Sequence, residues 1–214
     1  MLAFLSELGI EGATVLEIGG GVGEIQLELL KRGAAHATNL ELSPAYEEEA
    51  NRLLRELALE DRAERRLHDI AVEPDGVEAA DIVVLHRVVC CYPDYERLLG
   101  AAEIRTRRLL VFSYPPRNAL SRLFVATENL VFKLLRKEYR SFVHPPAAML
   151  GLLDERVVRS LDDQHGNLDV LHRVDGRLLL QPCQPLRRSR VADALEKHPA
   201  RRAGELGKRF QHGD

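Results

Sequence analysis

One stretch constrains this chain more than any other: VLEIGGGVGEIQLELLKRG, from Val15 to Gly33. A short apolar run, Ala13 to Ile18, meets Gly19, Gly20, Gly21 and Gly23 and then opens into a segment whose Ile25, Leu27, Leu29 and Leu30 fall largely on one side of a helix. The order is strand, tight turn, helix. Without a Cβ the backbone can turn sharply and admit a ligand close to the main chain, while the free N–H groups of the helix start favour a negative group. A cofactor of nucleotide type is the expected occupant, and a glycine turn that binds nothing is the plainer alternative.

Spacing narrows the choice. A dinucleotide fingerprint needs Gly-x-Gly-x-x-Gly, and counting from Gly19 and Gly21 places Glu24 where the third glycine belongs. The phosphate loop of ATPases and GTPases needs a Gly-Lys-Ser/Thr ending, which occurs nowhere in the chain. What stands here is acid-x-Gly-x-Gly-x-Gly, with Glu17, Gly19, Gly21 and Gly23, and it resembles the first motif of class I S-adenosylmethionine-dependent methyltransferases of the small-molecule type. The resemblance implies that the acid holds, usually through water, the cationic amino group of the cofactor's methionine part, with Gly20 completing the loop. A second acid, Glu41, follows Gly19 by 41 − 19 = 22 positions. That is close to the ~20-residue offset at which such folds place a carboxylate for the ribose hydroxyls. A carboxylate there can accept from both hydroxyls.

Length and composition fit one soluble domain. The chain has 214 residues, 45% hydrophobic and 29% charged, enough for one sizeable core. A formal net charge of −3 provides no whole-chain basic field for nucleic acid, and no apolar run is long enough to span a membrane. Cys90 and Cys91 are adjacent and Cys183 stands alone, which matches neither a zinc spacing nor a disulfide framework. A reducing, cytoplasmic setting is expected, with no metal. The N-terminal MLAFLSELGIEG lacks a basic region and a cleavage site, so a short helix is expected there instead of a signal peptide.

In order, the chain alternates strand and helix as an α/β fold does. After the first helix, Ala34–Leu42 reads as a strand, Ser43 and Pro44 start a helix through Leu57 with Leu53, Leu54 and Leu57 buried, and Ala63–Leu67 reads as a charged edge strand. Ala80–Leu85 is an apolar strand, Asp94 caps a helix toward Ile104, and Arg107–Ser113 is the fifth strand. The resemblance extends over roughly Leu2–Leu153. It implies a doubly wound, mostly parallel Rossmann-like sheet with an antiparallel last strand. It also places Leu42 beside the ribose acid, Asp69 at the adenine amino group, Ile70 on the adenine ring and His86 at the methionine and sulfonium end. DIVVLHRVVCCYPDYERLL, Asp81–Leu99, resembles the family's fourth-strand segment, with Cys90 and Cys91 where a His-His pair often stands; small apolar packing is the plainer role for them. SYPPR after the fifth strand only mimics the motif of nitrogen methylation, which belongs after the fourth and begins with an amide or acid.

Ala119–Arg140 reads as an inserted helix with Leu120, Leu123, Phe124, Thr127, Leu130, Val131, Leu134 and Leu135 on one stripe. The stripe is expected to pack on the sheet. Val125 and Phe132 lie off it, to wall an apolar acceptor site or to form a dimer or membrane contact. Another short helix runs to Leu153, and LDVLHRV and RLLLQ flank Asp175-Gly176 as a hairpin. From Leu186 to Asp214 apolar residues are sparse and eight basic residues face four acidic ones, which reads as a disordered tail. The expected organisation is one methyltransferase domain over 1–185, an insert at about 118–153, and the tail 186–214.

The expected function is transfer of a methyl group from S-adenosylmethionine to a small, apolar or amphipathic acceptor, with His86, then His144, as candidate bases. No nucleic acid and no stable membrane insertion are expected, and a homodimer is one expected assembly. A noncatalytic S-adenosylmethionine-binding module is the alternative. A nucleotide-dependent oxidoreductase would need the fingerprint that Glu24 breaks.

Overall fold

The computed structural model describes residues 5–6, 8–115, 118–137 and 139–153, and the backbone of 159–163, 166–174 and 177–179. The expected tail at 186–214 and the turn Asp175-Gly176 lie outside the described residues. Among these, one sheet holds β1 (Thr14–Ile18), β2 (His36–Glu41), β3 (Ala63–Leu67), β4 (Ala80–Leu85), β5 (Thr106–Tyr114), β6 (Arg159–Asp163), β7 (Gly166–Val174) and β8 (Arg177–Leu179). The strand order is β3-β2-β1-β4-β5-β7-β6, and β8 pairs with β7. Strands β1 to β5 are parallel neighbours. β7 runs antiparallel to β5, and β6 and β8 antiparallel to β7.

Both faces of the parallel part are covered, as the continuous apolar strands require. On β1, β4 and β5, successive residues divide between two cores. Val15, Ile82, Val84, Leu109 and Val111 meet α1 (Glu24–Lys31) and α2 (Glu47–Glu56). Leu16, Ile18, Val83, Leu85, Leu110 and Phe112 meet α3 (Tyr95–Ile104) and, through Met149 and Leu153, the α5 region (Pro146–Leu152). Asp94 caps α3 by accepting from Arg97 N at 3.1 Å. On α2 the buried side is Ala50 and Leu54, whereas Leu57, expected inside, follows the helix end and is exposed.

The largest departure from expectation is α4 (Ala119–Leu134). No residue of this helix is buried, and the stripe expected to pack on the sheet faces solvent, with Leu120, Leu123, Phe124, Leu130 and Leu134 between 57% and 75% exposed. The side that leans inward carries Val125, Glu128, Asn129 and Phe132 instead. Polar bonds hold it there. Asn129 Nδ2 donates to Ser141 O at 2.8 Å, Ser141 N donates back to Asn129 Oδ1 at 2.8 Å, and Ser141 Oγ donates to Glu128 Oε2 at 2.7 Å. The helix ends at Leu134, not at Arg140, because Arg136 turns left-handed (φ 54°) while Arg136 N donates to Lys133 O and Lys137 N to Phe132 O. These two bonds are a Schellman stop built on arginine where glycine is usual.

Candidate functional site

The sheet turns its order back on itself between β1 and β4, and in open α/β sheets the crevice at such a switch point, beyond the carboxyl ends of the strands, is where ligands bind. A cleft of about 230 Å³ lies there, lined by residues that include Gly19, Gly21, Glu41, Leu42, Asp69 and Ile70. A larger hollow, of about 430 Å³, lies away from the glycine turn against Ser6, Gly9, Ile10, Glu11 and Arg32. It is a shallow surface depression outside the strand crevice.

The glycine turn occupies the position where β1 gives way to α1. Gly19 has φ 66°, and a Cβ on it would lie 2.6 Å from a Val88 methyl carbon. Gly20 is outside the left-handed region, but its Cβ would overlap the Asn39 amide and come within 2.5 Å of Glu17 Cδ. Gly19 therefore excludes a side chain on both conformational and steric grounds, and Gly20 on steric grounds alone. Gly23 begins α1 and accepts from Leu27 N at 3.0 Å.

Beneath the turn runs a polar row. Glu17 on β1 is in register with Asn39 on β2, and Asn39 with Arg65 on β3. Glu17 and Asn39 are buried, and the Arg65 side chain is only 4% exposed. Glu17 Oε2 accepts from Gln26 N at 3.0 Å. Burial pushes the Glu17 carboxyl up to about 8, against the opposing pull of the Gln26 N–H and the Arg65 charge. Arg65 Nη2 donates to Gly21 O at 2.8 Å and pairs with Glu47 at 2.9 Å, so the edge strand pins the loop from the side. The amide groups of Gln26 and Asn39 are buried without hydrogen-bond partners among the described residues, leaving polar capacity under the turn.

Glu41 closes the rim. Its Oε2 accepts from Gly21 N at 2.8 Å, and its Oε1 accepts from Leu42 N at 2.8 Å and Ser43 N at 2.9 Å. Three of a carboxylate's roughly four lone-pair sites are thereby used, and the remaining one is on Oε2. Asp69 accepts from Ala71 N at 3.0 Å and from Tyr92 OH at 3.1 and 3.0 Å on its two oxygens. Burial, then this bond, pushes the Tyr92 hydroxyl up to about 12. Ile70 is a buried wall, while Leu42 is 56% exposed at the edge.

The expected histidines stand outside the cleft lining. His86 is exposed, and its Nδ1 lies 2.9 Å from Ser113 Oγ on the neighbouring strand. His144 Nε2 donates to Tyr92 O at 2.9 Å, and its ring packs on Tyr95 and Phe142, so it fastens the 139–145 segment beside the cleft. Glu17, Gly20 and Gly23 also do not line the cleft; they shape it from behind. Sequence reading missed Tyr46, Arg87, Cys91 and Tyr92, which do line it, and Asn39 and Arg65, which support it. Arg87 follows His86 with a left-handed φ of 61°, fixed by Arg87 N donating to Ser113 Oγ at 2.8 Å. Cys91 is not plain packing. Its Sγ lies 3.6 Å from Cys90 Sγ and 2.7 Å from Tyr139 OH, and these two bonds hold the Cys91 thiol below its ordinary range, while Cys90 moves up. Among the described residues no cluster of three or more His, Cys, Asp or Glu could hold a metal, and no helix is long and apolar enough to cross a membrane.

The geometry has parallels. No curated protein sequence matches the chain. An O-methyltransferase family protein from Burkholderia thailandensis is similar in structure, with a TM-score of 0.67 at 20% identity over 83% of this chain; the chain spans 56% of that protein's length. Magnesium protoporphyrin IX methyltransferase from Synechocystis PCC 6803, solved with bound SAH, gives a TM-score of 0.63 at 17% identity, covering 81% of this chain and 80% of that one. Mitomycin 7-O-methyltransferase gives 0.55 at 24% identity, covering 80% and 52%. A family model described as a methyltransferase domain matches residues 16–106, a span that runs from within β1 through β4 and holds the glycine turn, Glu41 and Asp69. Residues 16–106 are thus similar to a methyltransferase domain, and the chain shares the fold of these solved methyltransferases.

Proposed function

We propose that this chain binds S-adenosylmethionine in the cleft beyond β1 to β4 and moves its methyl group to a small, apolar or amphipathic acceptor. The observation that carries this reading is the joint of turn and rim: Gly20 leaves no room for a side chain, and Glu41 ties Gly21 to the end of β2 while keeping one acceptor site. When bound, the cofactor supplies an electrophilic methyl group on a sulfonium, so the protein chiefly aligns the acceptor and excludes water. Glu41 and Asp69 on the rim form a carboxylate pair that suits a cation and opposes a diphosphate. Glu41 takes one ribose hydroxyl, Asp69 the adenine amino group once Tyr92 yields, and Leu42 and Ile70 flank the ring. Gly19 and Gly21 form the floor, Gly20 and Gly23 shape the turn behind it, and Glu17, bonded to Gln26 N, supports the turn on which the cofactor's amino group rests.

His86, held at Ser113 Oγ, and His144, whose Nε2 is committed to Tyr92 O, act by positioning. Neighbours named for magnesium protoporphyrin IX and mitomycin support a small-molecule acceptor. We read 1–185 as one domain whose sheet is closed by antiparallel β7, with an insert at 118–153. Calorimetry with S-adenosylhomocysteine and with NAD tests the site: tight binding of the first alone is expected, and binding of NAD alone would overturn the reading. Labelled methyl incorporation into metabolite extracts then tests catalysis; cofactor binding without incorporation into any acceptor would leave a noncatalytic module.

A further inference from the structure

We infer that α4 lays its exposed face on an anionic lipid surface. At about 100° per residue, Leu120, Leu123, Phe124, Leu130, Leu134 and their neighbours occupy one continuous arc, and none of them is buried. A helix normally keeps such an arc for its own core; here the inward side is the one that carries Val125, Glu128, Asn129 and Phe132, fastened by polar bonds to Ser141. A partner must supply the apolar phase. The charges say which. Arg122, Lys133, Arg136 and Lys137 are exposed around this helix and its end, and none pairs with a carboxylate among the described residues. The helix's one acid, Glu128, is turned inward to Ser141. From 117 to 140 the sequence holds six basic and two acidic residues, in a chain whose net charge is −3.

A second copy of the chain fits this face poorly, because a two-fold seam places the same patch on both subunits and would oppose the four cations to themselves. An anionic bilayer satisfies both features, taking apolar side chains into the acyl boundary and basic ones at the headgroups. The helix is too short to span, so the contact is a shallow one in the plane of the interface. Its inner side leads through Ser141 to the segment whose Phe142 N donates to Cys90 O and whose His144 is bonded to Tyr92 O, so the bound surface lies beside the cleft. The contact does not depend on methyl transfer being the activity.

Co-sedimentation of the full chain with phosphatidylcholine vesicles, alone or with about 30% phosphatidylglycerol, at about 0.1 M salt tests this. At least tenfold stronger partition to the anionic vesicles is expected. The double change Leu123→Glu, Phe124→Glu should abolish it, and Arg122→Glu, Lys133→Glu should reduce it at least tenfold, both with the melting temperature kept because every altered side chain is exposed. If the first variant fails to fold, the charge-reversal variant alone decides. Equal partition to both vesicles, unaltered binding by the variants, or a concentration-dependent dimer in sedimentation that the leucine and phenylalanine changes abolish would overturn the inference.

Discussion

Replacing Glu17 by glutamine should make the fold less sensitive to rising pH. Glu17 is 2% exposed, and its carboxyl lies near 8 instead of the ordinary 4.5 because burial disfavours the charged form. Between those two values the folded protein holds a proton that the unfolded chain releases, so this group's contribution to stability is full below about 4.5 and is lost as pH rises toward 8. The slope is about 1.4 kcal/mol per pH unit for one proton, so from about pH 5.5 to 7.5 Glu17 removes roughly 2 to 3 kcal/mol. Glutamine keeps an oxygen to accept from Gln26 N and presents an amide beside Asn39, whose own oxygen has no other partner among the described residues. Its state does not change with pH. Urea unfolding of both proteins across this range should show the native chain losing that increment relative to Glu17→Gln. Parallel pH profiles would refute the reasoning, and would mean that water or Arg65 solvates the carboxylate far better than the packed geometry allows.

Other expectations follow from single contacts. Glu41→Ala should weaken S-adenosylhomocysteine binding and also lower stability by about 2 to 4 kcal/mol, read by calorimetry and by urea unfolding, since three backbone N–H groups lose a charged acceptor at an 8% exposed site. Unchanged stability would mean that water replaces the carboxylate. Tyr92→Phe should leave cofactor affinity equal or raise it several-fold, because it frees Asp69 from a competing donor; a tenfold loss in calorimetry would show that the hydroxyl itself meets the ligand. Cys91 should alkylate at a pH below the ordinary thiol range, ahead of Cys90, and S-adenosylhomocysteine should protect it because Cys91 lines the cleft. Mass spectrometry of iodoacetamide adducts against pH decides, and equal labelling of both cysteines would count against the assigned hydrogen bonds.

Much of the fold was legible because its signals are local. β1, β4 and β5 appear as apolar runs, Asp94 and Ser43 mark helix starts, and the spacing from Gly19 to Glu41 follows from one strand, turn, helix and strand of ordinary length. That spacing singles out Glu41 at the end of β2, but not its burial, since a carboxylate tied to three N–H groups looks in sequence like one more acid before Glu47, Glu48 and Glu49. The histidines show the opposite failure. Chain position puts His86 at the tip of β4, but the pairing of Leu85 with Phe112 sets it beside Ser113 and outside the cleft lining. Periodicity likewise identified the stripe on α4 without saying which phase it meets, and the helix end escaped notice because arginine, not glycine or asparagine, takes the left-handed position.

The polar row under the turn was within reach of a closer reading. Glu17 and Asn39 each interrupt a strand, and a polar residue inside an apolar run is more informative than the run itself, whereas Arg65 stands between Glu64 and Arg66 and gives no such signal. Only pairing makes them neighbours, since they come from three strands brought together by two crossover connections. Once aligned, they account for Gly20. The Asn39 amide and the Glu17 carboxyl fill the volume a side chain would need, so the turn is supported by strands from below as well as by its own bonds. The cleft therefore has apolar walls and a floor whose backing is polar and charged. Changes at Asn39 or Arg65 should then alter ligand affinity through the shape of the turn, without either side chain touching the ligand.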